Sequence, residues 1–149
     1  LALYPANSDA EADANWAEIY GAVFFNYPHD CLNRLMTGKE PVYEYRFSKH
    51  NGRLGCWHSG EMVYAFGSIP EGSKLYDQED RNLSAIMHTY WLNFAKTGNP
   101  NGEGLPVFDT GLETLLDFAS TVELINNPYR EFYDILDQMQ GFEGEIEND

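Results

Sequence analysis

The stretch EDRNLSAIMHTYWLNFAKTGNP, residues 79–100, sets the tightest limit on what this chain can fold into. Leu83, Ile86, Met87, Tyr90, Trp91, Phe94 and Ala95 recur at the three- and four-residue spacing of one broad apolar helix face. Gly98 and Pro100 end that helix. A face this wide has to be covered, and in an α/β arrangement a sheet covers it. The rest of the sequence offers one clear strand, PVYEYRFS at 41–48, rich in β-branched and aromatic residues. LPVFDT and TLLDFAST are short strand-like pieces. The parallel strands that would cover such helices are missing. The class therefore reads as α/β, and the chain as a segment of a larger fold that is not self-sufficient as a separate domain.

Local signals place the other helices. The acidic run SDAEADANWAEIYG, residues 8–21, favours a helix behind a Ser8 or Asp9 cap. Pro28 can start a second helix and Gly38 can end it. A last amphipathic helix begins near Pro128 and uses Tyr129, Phe132, Tyr133, Leu136 and Met139, ahead of the polar tail GFEGEIEND, which is expected to fray. No internal repeat and no linker composition appears, so residues 1–149 read as part of one domain. The opening LALYPANSD has neither an initiator Met nor a signal-peptide pattern, so the start is expected to be internal.

Composition excludes several functions. A hydrophobic fraction of 43% is too high for a disordered segment. The net charge of −15 argues against nucleic acid or an anionic membrane as partner, since both would repel it. No apolar run reaches spanning length. The compartment stays open. Cys31 and Cys56 allow at most one bridge, and two free buried thiols are the favoured reading.

The stretch GRLGCWHSGEMVYAFG, residues 52–67, carries the candidate chemistry. His58 stands among glycines at 52, 55, 60 and 67, where the backbone turns sharply or is closely approached. A loop-held imidazole suits a general base, but a histidine with ordinary hydrogen bonds fits the spacing equally well. Of the other histidines, His88 borders the apolar helix face as a packing residue, His50 lies in a solvated turn, and His29 has Asp30 only as a sequence neighbour. No histidine pair has metal-binding helical spacing and no Cys/His spacing fits zinc, so no metal is expected. Cys56, two residues before His58, reads as structural rather than as a nucleophile.

GCWHSGEMVYAFG resembles the histidine loop of type-B carboxylesterases and cholinesterases, a family of α/β-hydrolases. IMHTYWLNFAKTGNPNG is similar to that family's following helix and loop. The order YPA, VYEYRF, histidine loop, LPVFD and aromatic last helix also fits, over about residues 4–136. The resemblance implies the C-terminal part of an α/β-hydrolase catalytic domain, and a serine esterase acting through a Ser-acid-His triad. It makes His58 the triad base. No Gly-x-Ser-x-Gly elbow is present, so nucleophile and acid are expected on a longer N-terminal chain or segment. It implies a small-molecule ester as substrate and no cofactor. Ser59 stands where many relatives have Gly directly after the histidine. Glu61 matches the family's acidic residue three positions after it, and reads as a supporting carboxylate behind the site. The alternative within the family is a non-catalytic adhesion or scaffold protein that keeps the fold. A free-standing acidic binding module is a third reading, set against the large apolar patch its helices would expose.

Overall fold

A computed structural model describes residues 3–50 and 56–141. They form two compact units: residues 43–126 make one, and the stretches on either side make the other.

The central unit is built on a three-stranded sheet of order β1-β2-β3, from Tyr45–Phe47, Thr114–Phe118 and Val122–Asn126. β1 runs parallel to β2, with Tyr45 opposite Leu116 and Phe47 opposite Phe118. A parallel pair needs a crossover, and the segment between these strands supplies it with α3 (Met62–Ala65) and α4 (Gln78–Thr97). β3 returns antiparallel to β2 through a tight turn in which the Ala119 N–H donates to the Thr121 carbonyl at 3.0 Å.

Caps set the limits of α4. Asp77 and Asp80 exchange side-chain to backbone hydrogen bonds at 2.8 and 3.0 Å, a reciprocal capping box. Gly98, at φ +73°, ends the helix as its spacing predicts. Leu83, Met87 and Tyr90 then pack with Tyr64, Ala65, Phe108, Leu116 and Phe118 into one core. Leu116 and Phe118 share a face of β2 by the two-residue alternation, and that face takes α4. The expectation that the apolar helix lacks a covering sheet is corrected here: β2 and Phe108 cover its inner half, while Phe94 stays 51% exposed.

Three details of the strand reading also change. β1 has three residues rather than the eight of PVYEYRFS. VELIN is a strand, missed because five residues between two turns carry little periodicity. LPVFDT pairs with no strand among the described residues. There the Asn101 side chain accepts from the Phe108 N–H at 2.6 Å and donates to the Phe108 carbonyl at 3.0 Å, doing what a neighbouring strand would do.

The outer unit begins with α1, Asp9–Gly21, capped by Ser8, whose hydroxyl accepts from the Glu11 N–H at 3.2 Å. A π-helical turn, Ala22–Asn26, joins it without a break to α2, Tyr27–Met36, so Pro28 lies in the first turn of a continuing helix. α5 spans Arg130–Gln140 and packs Tyr133 and Leu136 against Tyr27. An ionic network locks α2 to α5. Asp30, fully buried, meets Arg34 Nε at 2.9 Å and both terminal nitrogens of Arg130. Asp137 accepts from Arg34 at 2.7 and 2.9 Å and from the Tyr27 hydroxyl at 2.7 Å. Most of the polar tail lies outside the described residues.

Candidate active site

The backbone around His58 is a closed turn. The Gly60 N–H donates to the Trp57 carbonyl at 2.9 Å, placing His58 and Ser59 at its two corners. Ser59 has φ +66°, the one non-glycine residue with positive φ among the described residues. A negative φ followed by a positive one is the sign pattern of a type II turn, whose second corner favours glycine. The turn leads directly into α3, since the Met62 N–H donates to the Ser59 carbonyl at 3.3 Å. His58 is exposed on this turn and Gly60 is buried beneath it. The glycines at 52 and 55 lie outside the described residues.

Sequence neighbours anchor the turn to the sheet. The Cys56 thiol donates to the Phe47 carbonyl at 2.8 Å, at the end of β1. Cys56 is exposed as a residue, correcting the expectation of two buried thiols, and both cysteines are free. Its thiol is nevertheless pushed above its ordinary range, first by burial of the sulfur and then by the charge of Glu61, with Arg46 opposing. A thiol held protonated is a poor nucleophile, in keeping with a structural reading. Glu61 is half-buried at the start of α3, and its carbonyl accepts from the Tyr64 and Ala65 N–H groups at 3.0 and 2.9 Å. Tyr45 is raised by burial and, secondarily, by the Glu61 charge. The Glu61 charge thus reaches both Cys56 and Tyr45.

The other histidines have different surroundings. His88 Nδ1 lies 2.8 Å from the Ala65 carbonyl, and the ring packs against Gly67, tying α4 to the end of α3. His29 and His50 are exposed. Asp30, beside His29 in sequence, turns instead to Arg34 and Arg130. Spacing could have suggested part of this, because Asp30 and Arg34 are four residues apart on one helix. Among the described residues no group of His, Cys, Asp and Glu could hold a metal ion, and no helix is long and apolar enough to cross a membrane.

With this geometry in place, the comparisons with known proteins fall into one class. The chain belongs to the carboxylesterase family, which it matches over residues 3–136. It is 34% identical over 114 residues to acylcarnitine hydrolase of Rattus norvegicus, covering 69% of this chain and 20% of that protein. Carboxylesterase 5A of Canis lupus familiaris is 32% identical over 123 residues, covering 71% and 21%. Cocaine esterase of Homo sapiens is 31% identical over 110 residues, covering 67% and 20%. A solved PNB esterase matches 64% of this chain and 21% of its own at 30% identity and TM-score 0.53. Another PNB esterase structure covers 87% of this chain and 27% of its own at 24% identity and TM-score 0.64, a likeness of fold. The fold is thus that of a segment of an α/β-hydrolase esterase. The chain spans about a fifth of the length of the curated relatives it matches.

Proposed function

We propose that this chain is the C-terminal part of a single catalytic domain that hydrolyses carboxylic esters, and that His58 is its general base. The observation that carries the reading is an exposed histidine at the corner of a closed turn, in a chain of the carboxylesterase family. The nucleophilic serine and the acid come from a longer N-terminal segment of the same enzyme. The imidazole takes the serine proton as the hydroxyl attacks the ester carbonyl, and gives a proton to the departing alcohol. It then takes a proton from the water that attacks the acyl-enzyme and returns it to the serine. Glu61 supports the turn from behind, through the space shared with Tyr45 and Cys56, and does not orient the imidazole. Ser59 is not the nucleophile, because a residue adjacent to its own base cannot align for proton transfer. The substrate is a small-molecule ester.

The test uses the full-length enzyme. His58→Ala should lower kcat by about a thousandfold or more while KM stays near its original value. His29→Ala, His50→Ala and His88→Ala should keep most turnover. A serine-directed organophosphonate should label the N-terminal segment and leave Ser59 unlabelled. Glu61→Gln should keep measurable hydrolysis. Full activity in His58→Ala would overturn the assignment, and no turnover on any simple aryl or alkyl ester would favour an adhesion or scaffold role.

A further inference from the structure

We infer that Trp57 is a positioning residue for His58: its indole, folded back over Gly60, braces the strained turn that presents the imidazole. This rests on the reading of His58 as the base and adds how the base is held. Gly60 is buried although residues 56–59 are all exposed, so its cover has to come from close by. A Cβ placed on Gly60 would lie 2.9 Å from the Trp57 carbonyl oxygen and 3.1 and 3.2 Å from indole Cε2 and Cδ2, the two atoms of the ring-fusion bond. The indole therefore lies across the glycine, and no larger residue fits beneath it. Trp57 itself stays 37% exposed.

The turn has reason to need a brace. Ser59 in the left-handed region costs about 1 kcal/mol or more relative to glycine, and such strain persists only when its surroundings enforce it. The Cys56 bond to the Phe47 carbonyl fixes the chain just before the turn, and entry into α3 fixes it just after. Between those anchors, the indole lies against the glycine whose N–H closes the turn. A base displaced by about 1 Å costs on the order of a hundredfold in rate, so a modest opening here would be felt in catalysis.

In the full-length enzyme, Trp57→Ala should lower kcat about 10- to 100-fold with KM changed less than about threefold, the signature of a misplaced base rather than lost binding. Trp57→Phe, which keeps a ring over the glycine, should recover most of that loss. Ser59→Gly introduced into Trp57→Ala should recover part of it, because a relaxed turn needs less support. A merely structural tryptophan would lower the folded fraction without lowering kcat per folded enzyme, which titration of the active sites with the organophosphonate separates. Trp57→Leu, which leaves part of the cover over the glycine, should show a smaller fall in kcat, and it decides the matter if Trp57→Ala does not fold. His58→Ala separates the two levels. If it stays active, the base reading fails. If it is inactive while Trp57→Ala, or Trp57→Leu where the alanine variant does not fold, turns over within about twofold of the parent, the positioning role alone is overturned. A raised KM with unchanged kcat in Trp57→Ala would also overturn it, by making Trp57 a substrate contact.

Discussion

Replacing Asp30 with Asn measures how much of the hold between α2 and α5 is ionic. The carboxylate is fully buried and faces Arg34 at 2.9 Å and both terminal nitrogens of Arg130. Asn keeps the volume and removes the charge, leaving two guanidinium groups against a neutral amide. Breaking a buried pair in this way costs about 3–5 kcal/mol. Two features put this case at the lower end. Arg34 keeps its two bonds to Asp137 at 2.7 and 2.9 Å. The Arg34 and Arg130 side chains are also 15% and 20% exposed, so water can relieve part of the loss.

The expected cost is therefore about 3 kcal/mol, on the order of a hundredfold in the local opening equilibrium. Amide hydrogen exchange in the full-length protein reads it directly. Peptides from α5 should exchange about a hundredfold faster in Asp30→Asn, while those from α4, which shares no part of the network, should not change. The double variant Asp30→Leu with Arg130→Met should regain much of the protection, since an apolar pair avoids the desolvation of charge. Protection of α5 within about threefold of the parent in Asp30→Asn would refute the reasoning. The carboxylate would then be contributing shape and not charge.

Three further outcomes follow from the titrating groups. Asp137 is held below the ordinary carboxylate range, first by its hydrogen bonds from Arg34 and then by the Tyr27 hydroxyl, against the opposing effect of burial. Its stabilisation should be complete above the unfolded value of about 3.9 and be lost as pH falls below it. α5 exchange should accelerate in acid, and Asp137→Asn should remove that acid step. Tyr90 donates to the Pro106 carbonyl at 2.6 Å, and burial pushes its phenol up to about 12. The neutral form is the one favoured, so this stability should hold below about pH 10 and disappear as pH climbs toward the folded value. Alkaline unfolding followed by phenolate absorbance should lose that component in Tyr90→Phe. The Cys56 thiol, raised by burial and by Glu61, should alkylate more slowly than glutathione at neutral pH and faster in Glu61→Gln. Equal rates would contradict the assignment.

What could be seen in the sequence divides along chain distance. α1 and α4 were legible because their signals are local: Ser8 three residues before the Glu11 N–H that it caps, and Gly98 closing a run of apolar residues. The parallel pairing of β1 with β2 was not, because it joins distant segments. Arg46 and Asp117 face each other as register partners and pair at 2.9 Å across 71 residues of chain. Neither short strand declares that alone. LPVFDT has the residues of a strand, but the backbone of Phe108 pairs with an asparagine side chain, and composition has no mark for that.

The site divides in the same way. His58 stood out by its motif, whereas its spacing among glycines left an ordinary histidine equally open. The conformation of the turn was hidden, because serine does not announce a positive φ as glycine or asparagine would. That choice of residue has a physical consequence. A glycine after His58 would adopt the corner without strain. Serine makes the corner strained, so the turn depends on what lies against it: the Cys56 tether on one side and the indole over Gly60 on the other. The residue that departs from the resemblance and the tryptophan before the histidine thus belong to one device, and neither explains the geometry of this turn without the other.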